Sequence, residues 1–201
     1  ITIPAGLTVQ GRWVVVGGGA GGNTWTRTAA GRTVLNNTMN SGVKFAAGAP
    51  RATVLDGLDV RPGGSGSPLV GITIASASPT LRDFAVTAVG GGAPPVEALG
   101  IRVTGTPGAP ANPRIEGTAT IRSLVTSSAA SSRSIGLDGL GATIDTQYVN
   151  YTGGPVSGAL NPISAGLWIF NATSSAVRDS AFRGGRSPAC IGAYFGGALG
   201  N

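Results

Sequence analysis

The sequence holds eight carboxylate side chains in 201 residues, and five of them recur about once every thirty residues. Asp56 lies in TVLDGLDV, Asp83 in TLRDFAV, Glu116 in RIEGTATI, Asp145 in ATIDTQYV and Asp179 in AVRDSAF. A row of stacked acids could bind Ca²⁺, which takes several oxygen ligands. It could also be turn structure, because Asp tolerates left-handed backbone and bonds neighbouring amides. Arg82 and Arg178 stand beside Asp83 and Asp179 and can neutralise them. The expectation is a structural row, with no metal and no cofactor.

Other chemistry has less to draw on. The chain has no His, and its acids are widely spaced, whereas glycoside hydrolysis normally needs two carboxyl groups held close together. No catalytic residue is assigned on this basis. Cys190 is the only cysteine, so it cannot close an internal disulfide. No second Cys or His stands near it to bind zinc, so a buried thiol is expected, the alternative being a pairing with a cysteine outside this chain.

These residues sit in a repeat. A Gly followed by alternating apolar residues begins GVKF at Gly42, GITI at Gly71, GIRV at Gly100, GLDG at Gly136, GLWIF at Gly166 and GAYF at Gly192, with spacings of 29, 29, 36, 30 and 26. Each unit reads as a strand, a second strand bent at the acid, a third strand, and a loop such as RPGGSGSP or VGGGAPP. Three short strands cannot bury an apolar side alone, but stacked copies build a continuous interior. The expected fold is all-β, a parallel β-solenoid of about seven coils with roughly 30 residues per coil. One domain spans 1–201 as part of a longer chain, with an irregular coil and cap over 1–40 and regular coils over 41–201. Within the first part, Trp13 to Asn37 reads as irregular, and Trp13 and Trp25 are expected to close the end of the core.

Alternation after each repeat Gly assigns the faces, since neighbours in a strand point opposite ways. Val43 and Phe45, Ile72 and Ile74, Ile101 and Val103, and Leu167 and Ile169 should point inward. Lys44, Thr73, Arg102, Asp138, Trp168 and Tyr194 then form one outward row, the candidate binding surface. Either a loop folds over Trp168 and Tyr194 and buries them, or they are an aromatic platform for a sugar face or a partner protein. Arg102 and Asp138 are the one outward pair an enzyme reading would nominate.

The segments ITIPAGLTVQGRW, WTRTAAGRTVLN, SPTLRDFAV and SSAVRDSAF, with the repeated G-apolar-x-apolar strands, resemble the pectin-lyase-like right-handed parallel β-helix repeat proteins. These are secreted by Gram-negative bacteria, and the likeness is strongest to the myxobacterial type and covers essentially the whole chain. The resemblance implies a right-handed helix and a secreted or cell-envelope location. The group includes polysaccharide lyases, hydrolases, epimerases, adhesins and surface lipoproteins. Its lyases hold Ca²⁺ with acids and abstract a proton with Arg or Lys, and its hydrolases use clustered Asp, usually with a His. This chain has no His, no Asp-Asp pair and no Arg-Pro-x-x-Arg element.

Composition agrees with an ordered β protein: 35 Gly and 13 Pro disfavour long helices, while a 41% apolar fraction opposes disorder. The net charge of +6 comes almost wholly from scattered Arg, without a basic run, so no nucleic-acid partner is expected. No run of about 18 apolar residues predicts membrane insertion. The sequence reading is a non-catalytic extracellular module, either a spacer or an adhesive surface for polysaccharide or another cell-surface protein. The alternative is a polysaccharide lyase or hydrolase fragment acting on an acidic glycan.

Overall fold

The computed structural model describes residues 1–16, 24–27, 31–90, 96–117, 120–125, 132–156, 162–172, 174–186 and 188–197. Short strands in these segments stack in parallel into three sheets, as a β-solenoid does. The first turn holds Thr2–Ile3, Thr8–Gln10 and Thr33–Asn37, and the second Ser41–Phe45, Val54–Asp56 and Leu58–Pro62. The third holds Leu69–Ala75, Thr80–Arg82 and Ala85–Gly90, and the fourth Val96–Thr104, Arg114–Glu116 and Thr120–Val125. Ser132–Leu140, Asp145–Gln147 and Asn150–Gly153 make the fifth, and Ile163–Phe170, Ala176–Arg178 and Ala181–Arg183 the sixth. Ala189–Gly196 adds a last strand to the first sheet.

The number of coils departs from the sequence expectation. Among the described residues only the second to fifth turns have every strand paired on both sides in all three sheets, which makes about four complete turns, not seven. In the sixth, Ala176–Arg178 and Ala181–Arg183 are sheet edges among the described residues. Counting one coil per repeat glycine overstates the number, because a terminal strand can join the first sheet without closing a turn. Residues 13–37 also hold more order than the sequence suggests. Trp13–Val16 pairs antiparallel with Thr24–Arg27, and Thr33–Asn37 joins the third sheet. The Trp13 and Trp25 side chains, expected to close the end of the core, lie outside the described residues.

The inward rows are as the alternation requires. Val43, Ile72, Ile101 and Leu167, with Phe45, Ile74, Val103 and Ile169, are all buried in one core with Leu55, Leu81, Ile115 and Val86 from the other sheets. Each fully buried Ile or Leu contributes about 1.5–3 kcal/mol. Inside the same core, the Tyr151 hydroxyl meets Thr146 Oγ1 at 2.7 Å, and its ring stacks on Phe182.

The repeat glycine has a packing cause. A Cβ on Gly71 would lie 2.1 Å from Val86 Cγ1 and 2.5 Å from the Gly100 carbonyl oxygen, and Gly42 meets Val60 and Gly71 in the same way. The first and third sheets approach too closely here for any side chain. The glycine also breaks the alternation of its strand. Val70, Leu99, Ile135 and Ala165, each just before a repeat glycine, leave the main core and form a second apolar cluster with Trp168 on the outer side.

The acids do not form the single row expected of them. Register places Asp56, Arg82, Glu116, Gln147 and Arg178 side by side, while Asp145 aligns with Arg114 and Ala176. The following residue turns the corner between the second and third sheets. There Gly57, Asp83, Gly117, Tyr148 and Asp179 all have positive φ, from 46° to 94°. Asp83 and Asp179 are thus turn residues, as Asp can be, whereas Asp56, Glu116 and Asp145 are strand residues paired with arginines.

Candidate functional site

Pairing in the first sheet sets Lys44 beside Thr73, Thr73 beside Arg102, Arg102 beside Asp138, Asp138 beside Trp168, and Trp168 beside Tyr194. The six candidate residues therefore stand in one continuous register row. Lys44 is exposed and lines a cleft of about 620 Å³ with Met39, Asn40 and Ser65. Thr73, Arg102, Trp168 and Tyr194 are half-buried, and Asp138 is buried.

The centre of the row is an ion network rather than a simple pair. Arg102 lies 3.5 Å from Asp138 and 3.9 Å from Glu97, while Arg133 lies 3.0 Å from Glu97 and 3.4 Å from Asp138. Two carboxylates thus share two guanidiniums. Glu97 and Arg133 each stand three residues before a repeat glycine, and sequence reasoning missed them because it followed the alternation only after the glycine. Counting back across the broken alternation puts both on the outer face. Their side chains reach over Leu99 and Ile135 to the residues beyond, so the outer apolar cluster lies beneath this network.

Trp168 and Tyr194 stack with ring centroids 4.0 Å apart and planes 19° from parallel. On the preceding strand, the Arg133 guanidinium lies 5.9 Å from the Trp168 ring centroid, within cation–π range. Trp168 is therefore flanked on both sides and offers its edge outward. Among the described residues no strand lies beyond Tyr194.

Elsewhere five acids are paired with arginines, while Asp179 accepts from Gln147 Nε2 at 3.3 Å. Asp56, almost fully buried, accepts from Arg12 and Arg82 at 3.2 Å each, and Arg12 also reaches Asp83 at 2.8 Å. Arg114 holds Glu116 at 2.7 Å, and Arg178 holds Asp145 at 2.9 Å. Among the described residues no group of three or more His, Cys, Asp or Glu is placed to hold a metal ion. Cys190 is exposed, not buried as expected: its strand is a sheet edge among the described residues, and its thiol donates to the Gly185 carbonyl.

Among the described residues no helix is long and apolar enough to cross a membrane. Comparison with family models, curated proteins and solved structures finds no match to this chain.

Proposed function

We propose that the chain is a non-catalytic solenoid module of a secreted or cell-surface bacterial protein, of the pectin-lyase-like kind, whose first-sheet outer face binds polysaccharide. The observation that carries this reading is the ion network. Glu97 and Asp138 are each held by Arg102 and Arg133, an arrangement that fixes side chains for recognition and occupies the carboxylates that acid–base chemistry would use. Sugars suit such a face: hydroxyls exchange hydrogen bonds with Arg102, Asp138 and Thr73, and a pyranose packs on the far side of Tyr194. A glycan array probed with the chain and with Trp168→Ala tests the reading. Loss of Trp168 removes the support under Tyr194 and should abolish the signal, whereas unchanged binding would reject this face.

One observation favours the enzyme reading, a fragment acting on an acidic glycan. Because Glu97 and Asp138 share the same arginines, two carboxylates are near each other, as glycosidases require. Release of new reducing or unsaturated ends, abolished by Asp138→Asn, would establish that alternative.

A further inference from the structure

Three Asn-x-Thr triplets occur in the sequence, at Asn36, Asn150 and Asn171. The triplet is the acceptor signal for N-linked sugar, which needs its asparagine at the surface. All three asparagines are exposed. Thr173, the last residue of the third triplet, lies outside the described residues, so Asn36 and Asn150 are the two sites with amide and hydroxyl both in view. Each lies in a strand of the third sheet, Thr33–Asn37 and Asn150–Gly153. Neighbours in a strand point opposite ways, so residues two apart share a face. Asn150 and Thr152 therefore flank the buried Tyr151 and stand side by side on the outer surface. Asn36 follows the inward-packed Leu35, and Thr38, just past the strand end, is exposed as well.

The state of the amide separates these asparagines from the others. Asn37 Nδ2 donates to the Ser41 carbonyl at 2.8 Å, while its Oδ1 accepts from the Met39 N–H at 2.7 Å. Asn40 Oδ1 accepts from the Gly66 N–H at 3.0 Å, and Asn112 Oδ1 accepts from Arg51 at 3.0 Å. None of these three begins a triplet. Among the described residues the Asn36 and Asn150 side chains have no hydrogen-bond partner. A sugar on Asn37 or Asn40 would disturb a hydrogen bond that the fold uses, whereas one on Asn36 or Asn150 displaces none. There is also room for it: Ala181 stands beside Asn150 on the next strand, and a cleft of about 200 Å³, walled by Asn150, Thr152 and Arg183, opens there.

We infer that Asn36 and Asn150 carry N-linked sugars, added by a separate glycosyltransferase from an activated donor, a nucleotide- or lipid-linked sugar diphosphate. In the transfer, the Nδ2 nitrogen attacks the anomeric carbon, and the new C–N bond forms as the C–O bond to the diphosphate breaks. The diphosphate leaves with the bonding electrons, and the amide gives up one proton to a base of the transferase. The threonine hydroxyl two residues on is the second group that the transferase reads. Three strands separate the two sites in the third sheet, which sets the sugars roughly 19 Å apart along the solenoid axis. They solubilise that face and leave the first-sheet row uncovered. The inference needs none of the residues of that row.

The test is tandem mass spectrometry of peptides from the protein isolated from the cells that make it, with variants expressed in the same cells. Peptides holding Asn36 and Asn150 should carry the mass of one or more hexose or N-acetylhexosamine units, localised to those two asparagines, while Asn37, Asn40 and Asn112 stay unmodified. Thr152→Val should abolish the increment at Asn150 and leave that at Asn36 unchanged, and Thr152→Ser, which keeps the hydroxyl, should retain it. Unmodified amides at both Asn36 and Asn150 would overturn the inference. So would sugar on the threonines instead of the asparagines, or an increment at Asn150 that survives Thr152→Val. Sugar binding by the first-sheet face is read separately on the glycan array, so either idea can fail without the other.

Discussion

Gly71 lies against Val86 so closely that a Cβ on the glycine would come within 2.1 Å of Val86 Cγ1. Neither sheet can retreat easily, because the same glycine also abuts the Gly100 carbonyl of the next turn. The repeat glycine therefore sets how tightly the solenoid is wound.

Gly71→Ala should accordingly destabilise the chain by about 1–3 kcal/mol through overpacking. Gly108→Ala, at a site with nothing within 4 Å, should change stability little. Chemical denaturation of the two variants makes the comparison. Equal effects would mean that the glycine column is not a packing constraint.

The glycine spacing made the solenoid readable, and alternation after it made the inward rows and the Lys44 to Tyr194 row readable. What followed from packing was hidden. No local pattern announces that the alternation breaks at the glycine, so Glu97 and Arg133 were not assigned to the outer face. The acids recur at the right interval, but whether each stands before the corner or on it depends on register. That is why Asp56 and Asp83, which look alike in the sequence, have different roles. The number of complete turns depends on which terminal strands find neighbours, and the repeat count does not contain that information.

Tyr148 has φ of 57° at the corner where other turns place Gly or Asp, and its side chain is largely exposed. The left-handed conformation is costly for a bulky residue and tolerable for Asn, with a penalty of about 1–2 kcal/mol. Tyr148→Asn should raise stability by up to that amount. A lower thermal midpoint in the variant would show that the ring makes a contact worth more than the strain.

Burial raises the pKa of the Tyr151 hydroxyl well above its ordinary value, and the hydrogen bond with Thr146 opposes this only in part. The folded state therefore holds the proton more tightly than the unfolded chain does. The associated stability is complete below the unfolded value of about 10 and is lost as pH rises above it. Tyr151→Phe should remove this alkaline loss, at a penalty of about 1 kcal/mol near neutral pH for the unpartnered Thr146 hydroxyl. Parallel alkaline stability curves for the two proteins would contradict the assignment.

Within the ion network, Asp138→Ala leaves Arg102 and Arg133 facing each other with Glu97 alone between them. The variant should be less stable by about 1–3 kcal/mol, as for other partly buried charged hydrogen bonds, and salt should narrow the difference by screening the two guanidiniums. Denaturation at low and high salt reads both effects. A difference that grows with salt would mean that the network is not held electrostatically.

The central claim is that the first-sheet outer face binds sugar without transforming it. The most direct measurement incubates the chain with a panel of polysaccharides and follows binding and the release of new chain ends in the same samples, alongside Trp168→Ala. The account predicts binding that is lost in Trp168→Ala, with no new ends released by either protein. Release of ends by the chain, or binding that survives in Trp168→Ala, would contradict it.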